Sequence, residues 1–240
     1  MEIRGKRVLI TGANRGLGQA LALACVRADA GEVFAGTRNL DAFEALAGPK
    51  ITPVKLDVTS DEDVSSAVDR VGRIDILINN AGIAVYGGVF KASFDDIQRE
   101  IEVNVLGPLR IARAFAPAMV EHGDGLIVNV SSQLSKVALP ATGTYCATKA
   151  ALLMLTQAMR GDLSHRGVRV IAVLPGAMDT DMTRNYDIPK TSPSRVAEEI
   201  LDAIKTEAPE TAVSDDARKL LSDLAADPRT VEEALAQFRA

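Results

Sequence analysis

The stretch RVLITGANRGLGQALALA, residues 7–24, runs from a short apolar segment through eight residues with three glycines into small and apolar residues at helical spacing. Each of Gly12, Gly16 and Gly18 costs backbone entropy, so the turn from strand to helix must need them. Either the turn brings bare backbone close to a ligand, or it is simply tight. A helix starting at Gly16 offers unpaired N–H groups and the positive end of its dipole, which together suit a phosphate. The G-x-x-x-G-x-G spacing is a relative of the dinucleotide-binding fingerprint, and its place between strand and helix points to a nucleotide cofactor.

The same alternation continues outward from this turn. Strands are read at Arg7 to Ile10, Glu32 to Gly36, Ile51 to Leu56, Ile74 to Asn79, Leu126 to Ser131 and Val168 to Leu174. Helices are read at Gly16 to Asp29, Asp61 to Val71, Phe94 to His122 and Thr144 to His165. The strands are short and almost wholly apolar, the pattern of strands covered on both faces. This predicts an α/β fold with a doubly wound parallel sheet of Rossmann type, three layers deep, in a single domain over residues 1–240. After Pro175 the chain becomes more polar, with a loop through TRNYDIPKTSPS, a helix from about Ser194 to Thr206 and two short helical runs near the end. The segment near 181–193 is expected to border the substrate.

Composition narrows the function classes. With 47% hydrophobic residues in 240, the chain can bury a large core. Twenty-seven basic against thirty-two acidic residues give a net charge of −5 without a basic stripe, which argues against nucleic acid. No apolar run reaches the length of a membrane span or a secretory signal, so a cytoplasmic location is expected. Cys25 and Cys146 lie far apart in helical segments and read as structural. His122 and His165 each precede a glycine at a helix end, which leaves no histidine for a Ser-His-Asp hydrolase or a metal site. Asp61, Glu62 and Asp63 after Ser60 read as a helix start favoured by the dipole.

Charge selects the form of the cofactor. An acid at the end of the second strand accepts from the ribose 2′-hydroxyl of NAD, whereas an arginine there can hold the 2′-phosphate of NADP. Here the strand ends in Thr37 and Arg38, and Arg15 within the glycine turn supplies a second guanidinium. Two forked donors suit phosphate oxygens, so NADP(H) is the expected cofactor.

In TYCATKAALLML, residues 144–155, Tyr145 and Lys149 are four apart and share one helix face. An ordinary tyrosine has a pKa of about 10, and a nearby ammonium favours the phenolate. Such a pair can pass a proton to an alkoxide or take one from an alcohol.

These motifs together resemble the short-chain dehydrogenase/reductases in their shorter form, over nearly the whole chain. TGANRGLG (Gly12, Asn14, Arg15, Gly16, Leu17, Gly18) looks like the family's cofactor turn. LDV, with Asp57 and Val58, is similar to its adenine-side segment, and NNAG, with Asn80, Ala81 and Gly82, to the motif that steadies the sheet and lines the cleft. Asn104 matches the family's catalytic asparagine. Ser132, thirteen residues before Tyr145, matches its serine, with Ser131 as the competing candidate. PGAMDT, with Pro175, Gly176, Met178 and Thr180, resembles the segment that cradles the nicotinamide, although Met178 stands where a branched aliphatic is usual.

The resemblance implies a division of labour. Tyr145 would act as general acid or base, Ser132 would orient the carbonyl, and Lys149 would lower the tyrosine pKa and hold the ribose. Asn104 would keep a water in a proton relay. Ser132, Leu134, Tyr145 and Tyr186 are expected at the substrate, with Val85, Tyr86, Leu139, Met178 and Met182 as further candidates for a largely apolar pocket. The substrate expected is a small or apolar ketone or aldehyde, or the matching alcohol, and the family's helix pairing implies a homodimer or homotetramer. Two other readings remain open. A nucleotide-binding regulator would be expected to have lost Tyr145 or Lys149, and an extended sugar-nucleotide enzyme needs a larger C-terminal domain than the roughly 60 residues after Pro175.

Overall fold

In the computed structural model, which describes residues 1–40 and 48–239, alternate apolar positions along each strand face opposite layers of helices. The central strands are β1 (Arg7–Thr11), β4 (Ile76–Asn79) and β5 (Gly125–Val130), and their buried side chains divide by parity. Val8, Ile10, Ile76, Ile78, Leu126 and Val128 pack with α1 (Gly16–Arg27) and α6 (Pro193–Thr206). Leu9, Leu77 and Ile127 pack on the other side with α2 (Asp61–Val71) and α4 (Gly107–His122). The strand period of two distributes the residues in this way. A large side chain fully buried is worth about 1.5–3 kcal/mol, so two such layers account for most of the driving force.

Among the described residues seven strands form one parallel sheet in the order β3-β2-β1-β4-β5-β6-β7. The others are β2 (Glu32–Thr37), β3 (Ile51–Lys55), β6 (Val168–Pro175) and β7 (Glu210–Val213). The chain reverses its direction of winding between β1 and β4, where a crevice opens at the carboxyl ends of the strands. Inside the sheet Asn79 Nδ2 donates to Asn129 Oδ1 at 2.9 Å, and Asn129 Nδ2 donates to Thr156 Oγ1 at 2.9 Å. This chain of amides ties β4 and β5 to α5 (Gly143–Leu163).

Three local readings hold. Ser60 caps α2 by accepting from the Asp63 N–H at 3.1 Å. Gly123 and Gly167 follow the helical turns that hold His122 and His165, at φ 74 and 81. Both cysteines are buried and unpaired. Two readings change. The stretch Phe94 to His122 is helical throughout as read, but α3 (Phe94–Ile101) passes into a π turn, Glu102–Leu106, before α4 begins. A seventh strand, β7, adds to the sheet edge beside β6. No helix among the described residues is long and apolar enough to cross a membrane.

Candidate active site

The glycine turn is both tight and open to a ligand. Gly12 and Gly16 adopt φ of 66 and 55, the left-handed region that glycine enters without strain. A Cβ on Gly18 would stand 2.1 Å from the Gly12 carbonyl oxygen and 2.6 Å from Asn80 Nδ2. Thr11 Oγ1 accepts the N–H groups of Asn80 and Ala81, each at 3.0 Å, and Asn80 Nδ2 donates back to the Thr11 carbonyl at 2.9 Å. The ends of β1 and β4 are thus locked together. No side chain caps α1 and no acid occupies its first turn, so its N-terminal dipole is left for an anion.

A cleft of ≈ 820 Å³ runs from this turn across the carboxyl ends of the strands. Every residue expected at the cofactor lines it except Pro175 and Gly176. Pro175 is buried at the end of β6. Gly176 instead faces α7 (Asp215–Ala226): a Cβ there would meet the Asp216 carboxylate at 2.0 Å, and its N–H donates to Ser214 Oγ at 3.2 Å. These two residues therefore shape the loop and do not form the wall.

At the far end of the cleft Arg38 is exposed and makes no ion pair with a described residue. Arg15 is also exposed, and its Nη1 lies 2.8 Å from Asp181 Oδ2. Asp57, beside them, accepts from the N–H and hydroxyl of Thr59. The backbone cradle, the free helix start and the two guanidiniums fit a dinucleotide carrying an extra phosphate.

At the other end stand the candidate acid–base groups. Lys149 lies across the Tyr145 ring, its Nζ 5.7 Å from the ring centroid, and donates to the Val130 carbonyl at 2.9 Å. Burial pushes the lysine down to about 8. Burial pushes the Tyr145 phenol up, against the pull of the facing Ser132 hydroxyl, so its net shift is opposite to the lowering expected from the ammonium. Ser132 is the serine that faces the phenol. Ser131 turns away, its hydroxyl donating to the Lys149 carbonyl at 3.0 Å.

Asn104 lies in the π turn and is fully buried. Its Oδ1 accepts from the Ile83 N–H at 2.9 Å, and its Nδ2 donates to the Ile83 carbonyl and to Thr148 Oγ1. It borders Lys149 across Gly82, where a Cβ would meet Asn104 Oδ1 at 3.3 Å and Lys149 Nζ at 3.5 Å. Neither Asn104 nor Ser132 forms the wall of the main cleft.

The substrate side is more scattered. Met178 and Met182 line the cleft, whereas Leu134, Leu139, Val85, Tyr86 and Tyr186 do not. Tyr86 and Tyr186 form a tilted pair, ring centroids 5.7 Å apart, and the Tyr86 hydroxyl donates to the Met182 carbonyl. The Leu134 N–H donates to Ser132 Oγ at 3.1 Å.

Sequence reasoning passed over Thr11, Thr148 and Glu100. Thr11 opens the glycine motif and could have been found there. Thr148 lies between Tyr145 and Lys149 but bears no mark of its role. Glu100 carries no sequence signal, because glutamate on a helix is ordinarily exposed.

Comparison with known proteins agrees with this geometry. Residues 6–190 match the family model described as short chain dehydrogenase. The ketoacyl reductase HetN of Nostoc sp. is 36% identical over 88% of this chain and 79% of its own length. D-erythrulose reductase of Gallus gallus is 36% identical over 82% of this chain and 81% of its own. Among solved structures, a short chain dehydrogenase from Burkholderia cenocepacia in complex with NADP is 38% identical, covers 98% of this chain and 99% of its own, and superposes with a TM-score of 0.92.

Proposed function

Because this chain belongs to the short-chain dehydrogenase family, we propose that it is an NADP(H)-dependent oxidoreductase that reduces a small or apolar ketone or aldehyde, with Tyr145 as proton donor. The observation that carries the reading is the placement of Tyr145 and Lys149 at one end of the cleft whose other end holds Arg15 and Arg38. NADP-bound and reductase relatives support the same choice.

NADPH, when bound, supplies the hydride for the carbonyl carbon. The glycine turn and the start of α1 hold its phosphates, Arg15 and Arg38 its 2′-phosphate, and Lys149 its ribose. Ser132 hydrogen-bonds the substrate oxygen. Tyr145, kept protonated by its surroundings, releases its proton to that oxygen as negative charge develops there. Lys149 stabilises the phenolate so formed. Asn104 fixes the 82–83 segment against Lys149 and the π turn, where a water of a relay can be held.

Met178 and Met182 give an adaptable, apolar wall to the substrate side. Ile101, Leu106 and Met154 are exposed apolar residues on α3, the π turn and α5, and a homodimer or homotetramer through these helices would cover them. The test of the function is a panel of aldehydes, ketones and alcohols assayed with NADPH, NADH and their oxidised forms. Turnover confined to NADP(H) and carbonyl or alcohol partners is the expected result. Cofactor binding without turnover of any member would favour a regulator.

A further inference from the structure

Ser214 joins β7 to α7 in a backbone conformation that a side chain makes costly. Among the described non-glycine residues with positive φ, Asp29 and Glu207 stand at 63 and 54, whereas Ser214 stands at φ 96 with ψ 153. That region is entered almost only by glycine, and another residue held there marks strain that the surrounding structure enforces. Ser214 is 1% exposed, and its N–H donates to Glu199 Oε2 of α6 at 2.7 Å. Its hydroxyl accepts from the Gly176 N–H at 3.2 Å and donates to Asp216 Oδ1 at 2.5 Å. The other carboxylate oxygen of Asp216 accepts from the Ala177 N–H at 2.8 Å. A glycine would fit the backbone at 214 better, but it would leave the Gly176 N–H without that acceptor.

Two successive N–H groups of the loop after β6 are thus held by one pair of side chains at the start of α7. The loop is fitted to them, because the Asp216 carboxylate occupies the space that a Cβ of Gly176 would need. The same point fixes the loop's return. The Ala177 carbonyl accepts from the Thr191 N–H at 2.9 Å, and the Asp179 N–H donates to the Thr191 carbonyl at 3.0 Å. Beside these feet lie Met178, Asp179 and Thr180, which line the cofactor cleft. Thr180 also abuts the glycine turn, its Cγ2 3.4 Å from where a Cβ of Gly16 would stand. Neither Ser214 nor Asp216 lines the cleft, so their effect on a cofactor must pass through this loop.

We propose that Ser214 and Asp216 are positioning residues: they anchor Gly176 and Ala177 to the start of α7 and so set the wall formed by residues 178–180 against the bound cofactor. The anchoring stands on these contacts alone; its consequence for NADPH rests on the oxidoreductase reading.

The test compares three variants of the full chain. Ser214→Gly relieves the strained backbone and removes the hydroxyl, and Asp216→Ala removes the carboxylate. Asp215→Ala is the control: it breaks pairs with Arg195 and Arg218 in the same helical turn but leaves the loop contacts in place. Amide hydrogen exchange in the cofactor-free protein, resolved by NMR, should quicken about threefold at Gly176 in Ser214→Gly and about tenfold at Ala177 in Asp216→Ala, as expected for a neutral and a charged acceptor. Fluorescence titration should show NADPH bound about threefold more weakly, or worse, in both. The glycine variant should nevertheless unfold in denaturant at about the parental midpoint, because relief of strain offsets the lost hydrogen bond. The control should keep parental exchange at both amides and parental NADPH binding. Unchanged exchange at both amides in the first two variants would overturn the anchor. Quickened exchange with parental NADPH affinity would overturn its positioning role, and so would a control impaired like the other two, which would reduce the effect to a general loosening of α7. A parent that binds neither NADPH nor NADH would instead sink the oxidoreductase reading, with the exchange rates still deciding the anchor.

Discussion

Arg15 Nη1 stands 2.8 Å from Asp181 Oδ2, joining the glycine turn to the segment after Thr180 across the cofactor cleft. Asp181 pairs with Arg184 as well. A 2′-phosphate held by Arg15 as proposed would compete with this carboxylate, and the pair is exposed, so it is worth at most about 1 kcal/mol. Asp181→Asn should therefore tighten NADPH up to about fivefold and leave NADH unchanged, read by fluorescence titration of both cofactors.

The two guanidiniums should matter more than their restraint. Charge-assisted hydrogen bonds contribute about 1.5–3 kcal/mol each, so Arg15→Ala with Arg38→Ala should weaken NADPH by roughly 10²–10⁴ relative to NADH. Equal losses for the two cofactors would show that neither arginine reads the 2′-phosphate.

Gly18 tests the turn itself. The backbone contact that a Cβ would meet at 2.1 Å cannot yield by a rotamer change, so Gly18→Ala should force β1 and α1 apart. A loss of about 2–4 kcal/mol in chemical denaturation is expected, together with loss of cofactor binding. A variant of parental stability would mean that the turn has room to shift.

Tyr145→Phe removes the proton and little else. Turnover should fall by about 10²–10⁴ while NADPH binding stays within twofold, the size of effect that a positioned acid provides. Binding and turnover lost in proportion would point to a packing role for the ring.

Lys149 should set an alkaline limit. Its proton leaves at about 8, well below the ordinary lysine value of 10.5, so the cofactor-free enzyme carries the ammonium below that pH and loses it above. The profile of kcat/KM for NADPH, which reports the free enzyme, should be flat through neutral pH and decline above pH 8. A profile still flat at pH 9.5, roughly midway through the gap to an ordinary lysine, would mean that the ammonium is not required.

The sheet and the cleft were legible because they depend on local pattern. Strands such as VLI and LIVNV are apolar on both faces, and glycine can be recognised from its type alone. Short ETAV at Glu210–Val213 escaped notice because an edge strand with three half-buried residues lacks that signature. The π turn was invisible for a different reason. Val103 and Val105 suit an α-helix as well as a wider turn, and the turn is instead tied to α5, where Asn104 Nδ2 donates to Thr148 Oγ1. The pairings of Arg15 with Asp181 and of Glu100 with Val85 could not be foreseen either, since they depend on segments brought together only by folding. Which of Ser131 and Ser132 faces the Tyr145 phenol depends on the direction of each hydroxyl, and that is fixed only by the fold.

The π turn at Glu102–Leu106 lodges one residue beyond the α repeat, which rotates everything downstream by about 100° relative to an uninterrupted helix. Ile111, Phe115 and Met119 thereby reach the sheet while Asn104 borders Lys149 across Gly82. Removing a single residue between 102 and 106 would swing one set out of phase with the other. The enzyme could thus be silenced by a shift in helical phase alone, with every chemically important side chain still in the sequence.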